Sequence, residues 1–173
     1  VNDNPRGGLI LLEAGPKGRG VFANRDFKKG QVVLEFAGPL LREEDIEDFT
    51  YTIQVDIGLY VGSSGGIDDF VNHCCEPTCL LRSEPPRLQM VAARDIAKGE
   101  EIHFDYATCI SCGPTLALCF CGAQTCRGTV GTFWDLDAKT RARFQRRGAI
   151  PEYVLLTRPQ RERVPSALSR RRG

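Results

Sequence analysis

Apolar residues along this chain come in short bursts separated by Gly, Pro and charged positions, the pattern of strands rather than of long helices. GVFANRDFKKGQVVLEFAG (20–38) sets two such bursts around Lys29-Gly30 and stops at Gly38-Pro39, which predicts a strand, turn, strand unit. The same design returns: AxRDΦxKG occupies 23–30 and again 92–99, an offset of 69 residues that reads as one duplication and not a solenoid. Between the copies, LREEDIEDFT (41–50) predicts one or two acidic helical turns, and YTIQVDIG with LYVGSSGG (51–66) predicts a hairpin. The clear helix is DLDAKTRARFQRRG (135–148), with an acidic start, a basic body and a Gly stop. The fold class expected is mainly β, with little helix before residue 135.

Length and charge refine this picture. At 173 residues, 42% hydrophobic and 26% charged, the chain supports one globular domain with an appendage. Its net charge of +1 hides an asymmetry: residues 127–173 hold 12 Lys+Arg against 4 Asp+Glu, and the first 126 hold 11 against 18. The end, RPQRERVPSALSRRRG (158–173), is Arg-rich and poor in apolar residues and is expected to be a mobile tail. No leader-like run follows VNDNPRGG and no stretch is long and apolar enough to span a bilayer, so no membrane role is expected. An intracellular protein is expected, with nucleus and bacterial cytoplasm equally compatible.

The eight cysteines change the picture most. Cys119, Cys121 and Cys126 sit within LALCFCGAQTCRG (116–128), amid turn residues, and such tight spacing favours a metal over a disulfide framework. A closed zinc site needs four ligands. The residues alone offer a local completion, the CISC pair Cys109 and Cys112.

Four motifs stand in register: KGRG (17–20), DDFVNHCCEPTC (68–79), GEEIHFDY (99–106) and CFCGAQTCRG (119–128). In order and spacing they resemble SET-domain protein lysine methyltransferases with a post-SET zinc loop, over about residues 8–130. The resemblance implies a SET-domain β-clip fold of short curved sheets with a pseudoknot. Its divisions here would be an N-terminal flank (1–7), a SET domain (8–107), a post-SET zinc loop (108–130) and a basic C-terminal helix and tail (131–173). It also implies that Cys75 joins Cys119, Cys121 and Cys126 around one Zn2+. Tyr106 would be the catalytic tyrosine, with Tyr51 beside the cofactor and Phe104 at a position that sets the number of methyl groups. Phe there implies di- or trimethylation. S-adenosylmethionine would be held by Lys17, Gly18, Arg19 and Gly20, by Tyr51, Asn72 and His73, and by Phe120 as a cover over adenine.

Some positions depart from that pattern. Arg19 stands where relatives often have Trp, Asp69 where many have Arg, and Cys74 where Ser is usual. Cys74 and Cys79 read as small packing residues, and Glu100, Glu101 and His103 as solvent-facing positions of a strand. The acidic run Glu43, Glu44, Asp45, Glu47 and Asp48 suits a Lys/Arg-rich protein or peptide such as a histone tail, and the basic tail suits nucleic acid or an acidic partner. Besides a methyltransferase, two other classes fit: a catalytically silent SET fold acting as a binding module, and a zinc-bearing nucleic-acid adaptor.

Overall fold

The computed structural model describes residues 8–111 and 117–158. The flank 1–7, Cys112 and the Arg-rich end from residue 159 lie outside the described residues.

Each apolar burst becomes a strand of two to six residues: β1 (Leu9–Glu13), β2 (Arg19–Ala23), β3 (Val32–Glu35), β4 (Leu40–Arg42), β5 (Ile53–Asp56), β6 (Leu59–Val61), β7 (Asn72–His73), β8 (Cys79–Glu84), β9 (Arg87–Ala92), β10 (Glu101–Phe104), β11 (Ala117–Leu118) and β12 (Thr129–Val130). They form small sheets with strand orders β1-β2-β10-β7, β3-β9-β8, β4-β6-β5 and β11-β12. The expected hairpin is β5 and β6. The expected acidic helical turn is one 3-10 turn, Glu43–Asp45. The two strands expected in 20–38 do form, but in different sheets: β2 pairs with β1 and β10, and β3 with β9.

The duplicated motif explains that separation, because the two copies clasp each other. Phe27 and Ile96 exchange backbone hydrogen bonds of 2.8 and 2.9 Å. Asp95 accepts the Lys29 amide at 2.9 Å and Asp26 accepts the Lys98 amide at 2.8 Å, a reciprocal arrangement with local twofold character. The turn that would have closed a local hairpin is committed to a partner far along the chain. Asp26→Ala should therefore cost about 1 kcal/mol, one hydrogen bond's net worth, read as a shift in the urea midpoint.

Two apolar clusters hold the molecule. The larger gathers Val21, Phe27, Leu81, Leu88, Met90, Ile96 and Ile102 with their neighbours from the sheets. The second is built from Phe133, Leu136, Phe144, Ala149, Tyr153 and Val154, packed on Ala107. Helix α1 (Ala138–Arg146) is the expected one, capped by Asp137 through the Thr140 amide at 3.0 Å. A short α2 (Glu152–Leu156), without a readable period in the sequence, follows. The Tyr153 hydroxyl lies 2.6 Å from the Cys109 carbonyl and 2.9 Å from that of Gln54, joining the C-terminal region to β5 and to the end of the Tyr106 turn. Two basic side chains serve this packing: Arg141 of α1 donates to the Trp134 and Leu136 carbonyls, and Arg147, which caps the helix, donates to the Ala93 carbonyl.

Candidate active site

Strand β10 is the axis of the site. It runs antiparallel to β2 and parallel to β7, and delivers the chain into a 3-10 turn, Tyr106–Thr108. A cleft of about 690 Å3 opens beside it, lined by Lys17, Gly18, Arg19 and Asn72 together with the aromatic rings of Phe36, Phe49, Tyr51, Tyr60, Phe104 and Tyr106. One cavity thus joins a glycine-bearing loop to an aromatic lining.

Tyr106 is held on several sides. Its ring centroid is 4.9 Å from that of Phe104 and 5.3 Å from that of His73, and its hydroxyl donates to the Val71 carbonyl at 2.7 Å. Burial pushes its ionisation well above that of a free phenol, so it stays a neutral hydroxyl. Its amide donates to His73 Nδ1 at 3.1 Å. Burial first, then the Arg127 charge, hold His73 down to about 3, which makes it a neutral ring with its proton on Nε2. Its 3.6 Å approach to Asp105 is therefore not an ion pair. Phe104 is buried and meets Phe36 edge-on at 6.4 Å. Tyr51 stands on the rim, 54% exposed and 6.0 Å from Phe70, with a left-handed φ of 63° that strains a non-glycine residue by about 1–2 kcal/mol.

The 17–20 loop is built from close approaches. Gly18 takes φ 75°, and a Cβ on Gly20 would lie 2.8 Å from both the Asn72 amide nitrogen and a Glu101 carboxylate oxygen. The missing side chain makes room for Asn72, which donates to the Arg19 carbonyl and to Glu101, each at 3.0 Å. Arg19 lies over the Phe70 ring at 4.0 Å.

Glu101 and His103 correct an expectation. Glu101 is paired with Lys17 and Asn72, and His103 Nδ1 accepts the Thr78 amide at 3.0 Å. Alternation predicts an outward face, but β10 lies inside its sheet, and the Glu101 and His103 face is half-buried against Lys17, Asn72 and Thr78. Burial, ahead of smaller charge effects, holds His103 down to about 4, so neither imidazole of the site carries charge at neutral pH. Glu100 keeps the expected outer position, paired with Arg94 at 2.7 Å.

Beside the Tyr106 turn, the sulfurs of Cys75, Cys119, Cys121 and Cys126 all lie within 4.8 Å of one another, Cys75 and Cys119 at 3.8 Å. A tetrahedral zinc with bonds of about 2.3 Å separates its sulfurs by about 3.8 Å, so this set fits a closed structural site. The loop is shaped for it: β11 pairs with β12, and the Cys119 amide donates to the Gly128 carbonyl at 2.9 Å. Burial works against ionising Cys121, yet the Cys75 and Ala123 amides and the neighbouring thiols outweigh it and draw that thiol down to about 6. Cys109 is elsewhere, buried in the main cluster with its thiol on the Tyr106 carbonyl, and Cys79 is buried in the same cluster; Cys74 is buried beside the four thiols, its sulfur near Cys121 and donating to the Glu76 carbonyl at 3.4 Å.

The family model described as SET domain matches residues 18–107, more than half of the chain. The chain belongs to the SET-domain family. A similar curated protein is the histone-lysine N-methyltransferase ATX2 of Arabidopsis thaliana, 32% identical over 151 residues that cover 77% of this chain and 14% of that protein. The methyltransferase domain of human SETMAR superposes with a TM-score of 0.61 at 26% identity, over 72% of this chain and 58% of that one. KRYPTONITE, crystallised with mCHH DNA, an H3(1-15) peptide and SAH, gives 0.60 at 26%, over 71% and 29%. This SET-domain chain spans between about a tenth and a half of the length of curated relatives such as these.

Most of the sequence-derived site residues come together in or beside the cleft. Lys17, Gly18, Arg19, Tyr51, Asn72, Phe104 and Tyr106 line the cleft, Gly20 and His73 pack directly behind it, and the four thiols converge. Phe120 is 57% exposed and is not among the residues of the cleft wall. Sequence reasoning passed over Asp105 and Arg127. The Asp105 carboxylate has no exposed surface and receives both prongs of the Arg127 guanidinium, at 2.7 and 2.8 Å. Their only signal was adjacency, one to Tyr106 and the other to Cys126.

Proposed function

We propose that this SET-domain chain transfers methyl groups from S-adenosylmethionine to lysine side chains of a basic protein, a histone or a histone-like substrate, and carries them to the di- or trimethyl state. The observation that carries the reading is the shared cleft, in which Lys17–Arg19 and Asn72 line the same cavity as Phe104 and Tyr106. Relatives named histone-lysine N-methyltransferases and a fold neighbour solved with SAH and an H3 peptide support it.

The chemistry fits the residues present. A free lysine, with pKa about 10.4, is nearly all protonated at neutral pH and is no nucleophile. A dry aromatic lining disfavours the charged form and lets the proton leave. When bound, S-adenosylmethionine supplies an electrophilic sulfonium methyl. The backbone at 17–20 and the Asn72 side-chain carbonyl, whose amide nitrogen already donates to Arg19 and Glu101, would bind it, with Gly18 opening the backbone for close approach. Tyr106 acts by position: its proton is committed to Val71, so its oxygen turns lone pairs towards the cleft, where they orient an amine N–H. No residue need form a covalent bond, and alignment of amine and methyl provides the acceleration.

Phe104 supports the multiple-methylation reading, since a phenyl ring offers no hydroxyl to fix a water against the amine. Phe104→Tyr should shift product towards monomethyl-lysine by about tenfold, the effect of one added hydrogen bond, read by intact mass of a peptide under excess cofactor. Wild type that stalls at one methyl contradicts the reading.

The exposed run Glu43–Asp45 with Glu47 and Asp48, which leads in sequence to the cleft residue Phe49, is acidic, and that favours a Lys/Arg-rich substrate. Such substrates place the protein in a nucleus or a bacterial cytoplasm, and among the described residues no helix is long and apolar enough to cross a membrane. The basic tail as a nucleic-acid contact falls on residues outside those described. Labelled-methyl transfer to a panel of histones and other basic proteins tests the whole reading. Label on lysine supports it; a folded, zinc-loaded chain that neither labels protein nor binds S-adenosylmethionine in calorimetry would be the silent module instead.

A further inference from the structure

We infer that Arg127 and Asp105 form a positioning latch by which the zinc loop sets the turn that carries Tyr106. Its kinetic half rests on the methyltransferase reading, and its structural half does not.

Asp105 immediately precedes Tyr106, and Arg127 immediately follows the zinc ligand Cys126. The Arg127 fork closes on a carboxylate with no exposed surface. A buried carboxylate without its partner is strongly unfavourable, so Asp105 goes where the fork is, and the Cys126 position decides where that is. Asp105 in turn shapes the turn itself. Its Oδ1 accepts the Ala107 amide at 3.1 Å, and its carbonyl accepts the Thr108 amide at 2.9 Å and the Thr108 hydroxyl at 2.7 Å.

The remaining amide of the turn, that of Tyr106, goes to His73 Nδ1, while His73 Nε2 lies 3.4 Å from the Cys75 sulfur. Cys75 also accepts the Arg127 amide at 3.4 Å. The Tyr106 amide is thus held by a ring that meets a zinc ligand, the Ala107 amide by the carboxylate that the loop clamps, and the Thr108 amide by the main-chain carbonyl of that same Asp105. A loop serving only stability has no need of a guanidinium aimed at the residue before the catalytic tyrosine.

The test is hydrogen exchange over residues 104–109 in the zinc-loaded chain, with zinc stoichiometry and steady-state kinetics on a basic peptide, for wild type, Arg127→Ala and Arg127→Lys. Arg127→Ala keeps all four thiols and should keep its zinc. Its amides at 106–108 should exchange roughly tenfold faster or more, as the freed turn opens locally. Turnover should fall about 10²-fold through misplacement of the hydroxyl, with KM changed by less than about threefold. Arg127→Lys, a point charge without the fork, should fall between. Chelating zinc from wild type should release the same amides. Zinc-bound Arg127→Ala with wild-type exchange and turnover overturns the latch. If that variant fails to fold, Arg127→Lys decides, and unchanged exchange and turnover with zinc bound sink the idea. Exchange coupling in a chain that transfers no methyl keeps the latch and removes the methyltransferase reading.

Discussion

Tyr106→Phe is expected to lower turnover by about 10²–10³-fold, the scale of losing one preorganised hydrogen-bonding group at a reacting centre. The substitution removes one oxygen and little else. The ring keeps its contacts with Phe104 and His73, and the backbone keeps its bond to His73 Nδ1. What is lost is an oxygen that donates its proton to Val71 and belongs to a residue lining the cleft. Because burial keeps this phenol neutral, the hydroxyl cannot act as a base, and its contribution is orientation. The loss should appear in turnover with cofactor affinity unchanged, the sign of an interaction made chiefly in the transition state. Leaving the Val71 carbonyl unpaired should cost a further 1–3 kcal/mol of stability at about that order, visible as a lower melting point. Single-turnover transfer of labelled methyl, calorimetry of cofactor binding and a melting curve separate these effects. Unchanged turnover would remove Tyr106 from the chemistry.

What the sequence made legible was local. The zinc loop and the repeated AxRDΦxKG each fit within a few residues, so spacing alone makes them readable, whereas the role of Tyr106 at the end of HFDY came through resemblance. Cys75 was reached through resemblance, since its 44-residue separation from Cys119 leaves no local pattern to read. The failures share a cause: they concern pairings made only in three dimensions. Glu101 and His103 alternate as if facing water, but β7 and β2 flank β10, and Lys17, Asn72 and Thr78 fill the space beside them. Asp105 and Arg127 lie 22 residues apart and meet only after the zinc loop folds back. The C-terminal segment read as a basic appendage, yet its Arg residues grip backbone carbonyls and its apolar residues cover Ala107. Deleting the chain from Asp135 onward would therefore dismantle the second cluster, which disqualifies that deletion as a clean test of what the tail binds.

Cys75→Ser is expected to weaken zinc by more than about 10²-fold, since even outer partners of a metal ligand are worth 10–100-fold and this change removes a ligand itself. The consequences should be uneven across the molecule. The main cluster contains no zinc ligand, so the sheets should survive chelation with most of their far-UV signal. The loop 117–130 has only the β11–β12 pair and a few turn bonds of its own, and metal binding to such loops supplies much of their folding energy. Its release would free Arg127, uncover the Asp105 carboxylate and loosen the Tyr106 turn, so activity should fail well before the fold does. Zinc content by metal analysis, with methyl transfer measured in parallel over a chelator series, checks the order of events. Cys79→Ser and Cys109→Ser should each keep one zinc, because their sulfurs lie outside the cluster, and so should Cys74→Ser, whose sulfur touches Cys121 without being one of the four that converge. A Cys75→Ser chain that still holds one tightly bound zinc would mean that another thiol completes the site, and the link argued here between metal and tyrosine would have to run through that residue.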